Sequence, residues 1–535
     1  MNRFPMAVLV ALLAAVQPAL AQTFFAPQEG HWKVEGEDGP GSGLNLTVQG
    51  GKIGVSVFTF DQAGDRRWFI AVADLVGSRF EAPLQRAEGG TRIQDPFAPG
   101  QLLPTDKQLT LDFSSETTAL LTLDGVSKPL RLLQFGTAVT RIPALLEGGF
   151  ERQFPDLAGR WVIWERNAET GDRLHAVEFE QAPRTLEEPP GVAAGWIDTN
   201  EADPERRIGV FCFTSPDTAP ADTPDCLLRL PAPGGHRDLP LAANDIGLTR
   251  FAAKQPNRGV DGLEVVLAHT LRLPVAADRM RPETGHYTLV GESGPGSGIN
   301  LVPRSEVLGL SVFTFAASGD DEWFTAAGAY PGSAGIELPL RRATGGTPID
   351  APFAPGVSED TGSTIRLDFT FRNRGTMVID GQRKELQKLI FGVPVSELPS
   401  LTEGGQPTRF PSLSGRWMLL ATADGKVTDQ RVLDLVPADA TVSDPRFTEA
   451  VAWQNGEQAV PRDDEITLVC GNDRLSFIIP FRRCLLRGNV FPALGFGELL
   501  DFSPDEISVG RFDIPIFQIQ LVGIPTIEVF ALRID

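Results

Sequence analysis

The feature that most constrains this chain is that it is written twice. GPGSGLNL at Gly39 to Leu46 returns as GPGSGINL at Gly294 to Leu301. SVFTF at Ser56 to Phe60 returns at Ser311 to Phe315, PFAPG at Pro96 to Gly100 returns at Pro352 to Gly356, and GRW ends at Trp161 and again at Trp417. The offset drifts only from 255 at the serines (297 − 42) to 258 at the cysteines (470 − 212). A period this long means a duplicated domain pair rather than a solenoid of short repeats. Each copy divides again at a stretch rich in proline, glycine and charge, TRIPALLEGGFERQFPD in the first and SELPSLTEGGQPTRFPS in the second. The expected layout is therefore a leader at 1–21, A1 at 22–140, B1 at 141–275, A2 at 276–396 and B2 at 397–535.

Strand periodicity dominates. In IRLDFTF, Ile365, Leu367, Phe369 and Phe371 alternate with Arg366, Asp368 and Thr370, the period of a half-buried antiparallel strand. Leu109, Leu111 and Phe113 repeat the pattern, and Asp124-Gly125 and Asp380-Gly381 supply positive-φ hairpin chemistry. Almost no window has a helical period. The fold class expected is all-β: a tandem duplication of a two-domain unit giving four small antiparallel β-barrels or sandwiches.

The first residues, MNRFPMAVLVALLAAVQPALAQ, combine an early Arg3, a short apolar run and Ala19-Leu20-Ala21, the pattern of a cleavable export signal. No later apolar run reaches transmembrane length. The expected location is periplasmic or secreted. Cys212, Cys226, Cys470 and Cys484 stand at two identical spacings of 14, which in an exported chain predicts two local disulfides rather than a metal site. A net charge of −21 repels phosphate backbones and anionic lipid, so nucleic acid and membrane surfaces are not the expected partners.

Ser42 in GPGSG invites comparison with a hydrolase nucleophile, but the G-x-S-x-G elbow has a different register and leads into a helix. If the turn centres near Gly39, Ser42 lies opposite Gly36, roughly 16 Å along the ladder from His31. His286 and Ser297 fail in the same way, and His175, His236 and His269 have no histidine at the matching places in the second copy. The acidic groups Asp198, Glu201, Asp203 and Asp463, Asp464, Glu465 read as solvated loops, with weak calcium binding as the alternative, and the first lacks the EF-hand pattern. Asp112 with Asp368, and Asp124 with Asp380, fall on an outward strand face and in a turn, and do not form a glycosidase pair. No catalytic residue, metal ligand or cofactor is assigned.

The order of an aromatic near the start, a GSG turn, SVFTF, Trp68-Phe69 or Trp323-Phe324, a GG element before PFAP, the LDF strand and a DG turn resembles a group of exported bacterial β-repeat domains. Members of that group typically read W-Y-N-P-x-x-S-G-x-G and then W-F-T-Y-D. The resemblance covers A1 and A2 only, and departs from the pattern at His31-Trp32-Lys33 and His286-Tyr287-Thr288. It implies export and a β fold, and carries no activity or site residues.

Ser42, Asn45 and Trp68, with Ser297, Asn300 and Trp323, are the candidate binding residues, on the expectation that an aromatic floor and a few hydroxyl or amide groups line a barrel mouth. The reading leans away from an enzyme. It favours a non-catalytic binding or interaction protein whose partner is a glycan, a small apolar ligand or a protein. An extracellular hydrolase with an unconventional site and a surface-structural or assembly protein are the alternatives.

Overall fold

A computed structural model describes residues 27–136, the strands and many of the turns of 139–272, residues 282–400 except 305–306 and 331–334, and the strands and some of the turns of 407–533. The expected leader at 1–21 and the acidic group at 463–465 lie outside the described residues.

A1 is a closed eight-stranded antiparallel barrel in which every strand pairs with the next, from Gly30–Val34 round to Val126–Leu132, and the last closes on the first at Trp32↔Leu132. A2 repeats it from Gly285–Leu289 to Gln382–Lys388, closing at Tyr287↔Lys388. Alternate residues of each strand fill the interior. Leu44 and Leu46, Val55 and Val57, and Leu109 and Leu111 are buried together in A1, with Leu301, Leu310 and Leu367 in A2. This is a packed apolar core, the reverse of the polar lumen of an outer-membrane barrel. Among the described residues, no helix is long and apolar enough to cross a membrane.

B1 and B2 are curled eight-stranded sheets with one shared topology. Six strands run as a meander, and a final hairpin attaches to the free side of the first, Trp161↔Arg272 in B1 and Trp417↔Arg533 in B2. Each holds one disulfide, Cys212–Cys226 and Cys470–Cys484, across directly paired residues of neighbouring strands. Trp161, Phe179 and Trp196 fill the B1 interior, and Trp417, Leu433 and Trp453 fill that of B2. The outer faces of B1 and B2 meet at Val162, Met418 and Leu420.

The two A barrels are joined by a reciprocal exchange. The PFAPG loop of each lies on the GPGSG turn of the other. Gly100 N–H donates to the Pro295 carbonyl at 2.8 Å, and Gly356 N–H donates to that of Pro40 at 2.7 Å. Ile93 leaves A1 to join the core of A2, while Ile349 leaves A2 to join the core of A1. A self-complementary contact of this kind is what a two-fold pair makes, here between two halves of one chain.

Candidate functional site

All six sequence-selected residues come together in this seam, on the outer faces of the barrels. Ser42 Oγ lies 2.8 Å from Thr59 Oγ1 and donates to the Thr347 carbonyl at 3.2 Å. Ser297 Oγ lies 2.9 Å from Thr314 Oγ1 and donates to the Thr91 carbonyl at 3.4 Å. The same threonine hydroxyls accept from the exchanged loops, Thr59 from Ile349 N–H and Thr314 from Ile93 N–H. Trp68 Nε1 donates to the Thr314 carbonyl and Trp323 Nε1 to that of Thr59, both at 3.1 Å. Their rings pack with Phe60, Phe313 and Phe315 in an apolar cluster shared by the two barrels. Each indole and each serine hydroxyl is thus engaged with the other copy.

The register also places the histidines. Lys33 pairs with Gly43, so Ser42 falls one residue beyond Lys33 rather than opposite Gly36, and His31 faces Asn45. His286 faces Asn300 in the same way. Asn45 and Asn300 are fully buried, and their amides have no side-chain partner at hydrogen-bonding geometry.

A serine–histidine pair does exist, between the copies. His286 Nε2 lies 2.6 Å from Ser56 Oγ, and its Nδ1 lies 2.7 Å from Thr47 Oγ1. Reasoning within one repeat could not find it. A hydroxyl occupies the place where a triad has its carboxylate. Burial, reinforced by His31 and Lys388, pushes the His286 pKa down to about 4. His31 is likewise pushed to about 4 by burial and Arg304, against an opposing effect of Asn45. These rings are neutral seam residues, poorly matched to a general base at neutral pH.

A second polar cluster, not singled out by the sequence pattern, lies in B1 where its first, second and sixth strands carry Glu165, His175 and Arg237. Glu165, His175 and Arg237 stand on the same strand faces as the B1 core, since Ile163 pairs with His175 and Leu230 with Arg237. Glu165 is 1% exposed. Its Oε1 lies 2.9 Å from the Arg237 guanidinium and its Oε2 3.6 Å from His175 Nε2. Burial alone would raise the Glu165 pKa, but the neighbouring His175 and Arg237 hold it below the ordinary carboxylate value. His175 also lines a cleft of about 660 Å³, with Arg173, Asp198, Glu201, Asp203 and Arg206 around it and Ile208 and Pro231 on its wall. The sequence signal was the divergence between the copies: Ala421 stands at the place of Glu165, and Arg431 at that of His175. Among the described residues, no group of three or more His, Cys, Asp or Glu is arranged to hold a metal ion.

No protein-family model matches the chain, and no curated protein matches it. Among solved structures, a DNA polymerase sliding clamp from Pseudomonas aeruginosa, crystallised with ligand, aligns over 64% of this chain and 90% of that one. Its sequence identity is 8% and its TM-score 0.08, which carries no argument about fold or function.

Proposed function

We propose that the chain is an exported, non-catalytic binding or interaction protein, in which the A pair is a rigid scaffold and the B units carry recognition. One observation carries this reading: the residues repeated in both A units are spent on joining the copies. Ser42, Trp68, Ser297 and Trp323 hold the exchanged loops and the shared aromatic cluster. The cleft and its buried charges stand instead where B1 differs from B2. The two disulfides support an oxidising compartment. The resemblance of the A units to exported bacterial β-repeat domains supports the same location.

A thermal-shift screen of the mature protein against glycans, peptidoglycan fragments, lipids and candidate protein partners tests the proposal. A ligand at about one hundred times its dissociation constant adds about 2.7 kcal/mol to the stability of the form that binds it. A saturable shift with any class supports a binding protein. Turnover of a chromogenic ester or glycoside by the same sample would replace it with the hydrolase reading.

A further inference from the structure

We propose that the B1 cleft binds a small, uncharged, polyhydroxylated ligand, a mono- or disaccharide, with His175 and Arg173 contacting it and Glu165, paired with Arg237, holding His175 from beneath. The inference deepens the binding-protein reading and rests on it.

Duplication supplies an internal control. B2 has the strand order of B1, an equivalent disulfide and equivalent core tryptophans. It builds the equivalent strand pair with Ala421, fully buried, where B1 buries Glu165. The fold therefore does not require a carboxylate there. Burying one costs several kcal/mol of desolvation, offset only by good partners, so an unneeded buried ion pair indicates a use other than folding. His175 connects the two levels, touching Glu165 below and lining the cleft above.

The lining chemistry selects the ligand. Two guanidiniums (Arg173, Arg206) stand with three carboxylates (Asp198, Glu201, Asp203), so neither sign dominates and an ion of either charge would meet its like. Carboxylates accept from hydroxyls and guanidiniums donate to them, both in planar, paired geometry, which suits a ligand whose every oxygen can do either. Pro231 and Ile208 offer a small apolar wall, and among the described residues the one aromatic ring on the lining is the His175 imidazole, too little for an apolar ligand. A volume of about 660 Å³ lies within the range of small-ligand sites.

The test is calorimetric titration of the full mature chain with glucose, galactose, N-acetylglucosamine and their β-1,4-linked dimers, with glutamate and lysine as charged probes. At least one sugar is expected to bind with a dissociation constant in the millimolar range or below. Introducing the residues of the twin, Glu165→Ala with His175→Arg, should weaken it at least about tenfold, because the ligand loses the His175 ring and the carboxylate that holds it. Arg237 keeps its charge in that variant, so its melting temperature is expected to fall; Glu165→Gln, which keeps the shape and an acceptor beside Arg237, tests the same contact in a folded chain. Arg431→Ala in B2 should leave affinity unchanged. Absence of sugar binding, preference for a charged probe, or binding indifferent to both Glu165 variants would overturn the assignment. In the last case the binding-protein reading would survive with its site elsewhere.

Discussion

Gly41 shows why the eight-residue phrase is repeated. A Cβ on Gly41 would lie 3.0 Å from the Phe353 ring, and one on Gly296 would lie 2.9 Å from that of Phe97. The phrase is a turn, as its glycines and proline indicate, but what keeps it free of side chains is the PFAPG loop of the other copy. Two motifs legible separately are therefore one contact, and local pattern cannot reveal it because the partners lie about 300 and 200 residues apart. Gly90 is tighter still: an added Cβ would meet the Phe315 ring at 2.2 Å, and Gly346 meets Phe60 at 2.3 Å in the equivalent place. Gly90→Ala is expected to destabilise the chain by about 1–3 kcal/mol through overpacking, with Phe315→Leu in the same chain recovering part of the loss. Urea denaturation of the two single variants and the double variant measures both; equal loss in parent and Phe315→Leu backgrounds would show that the ring is not the obstacle. Trp68→Phe keeps most of the apolar contact but leaves the Thr314 carbonyl without its indole donor, for an expected loss of about 1–3 kcal/mol by the same measurement.

At the scale of the strand, alternation was readable and its meaning was only half so. Trp32, Leu44, Val55 and Val57 point inward as period two requires. The opposite face, with His31, Asn45, Thr47 and Ser56, has the composition of a solvated surface, yet it is buried against A2. Alternation tells inside from outside a barrel, and says nothing about whether a second barrel covers the outside. The covered face has a pH consequence. His31 and His286 titrate at about 4 in the fold against 6.5 in an open chain. Between those values the unfolded chain binds more protons, so stability rises with pH there. The contribution is complete above about pH 6.5 and is lost as pH falls through 4. Lys388 and Arg304 face the rings and oppose their charging, while Glu283 and Glu29 pair with Lys388. Each ring corresponds to about 3 kcal/mol. The urea midpoint is expected to fall steeply from pH 6.5 to 4 in the parent and by clearly less in His286→Gln. A parent profile flat over that window would show that the rings are not held neutral.

At the scale of the molecule, the copies have diverged where they touch, and the divergence is complementary. A1 reads Arg66-Arg67-Trp68 where A2 reads Asp321-Glu322-Trp323, the first of each run paired with Phe60 and Phe315 respectively. Arg66 is ion-paired with Glu322. Asp321 is buried and accepts from Arg86 at 2.9 Å and from Trp68 N–H at 2.8 Å. Two A1 units meeting in this way would oppose arginine to arginine, and two A2 units would oppose carboxylate to carboxylate. The seam thus favours joining A1 to the A2 of its own chain or of a second chain, and works against like-with-like pairing. Arg66→Glu should cost about 2 kcal/mol, by removing a half-buried pair and setting two carboxylates together. Glu322→Arg should cost a comparable amount alone. Combined, the two reversals restore an ion pair with its sign inverted, and the double variant should recover at least half of the summed loss, a coupling of about 1–3 kcal/mol. Purely additive losses in a urea-denaturation cycle would mean that the Arg66–Glu322 pair contributes no specificity, and that only the exchanged loops and the shared aromatic cluster select the partner.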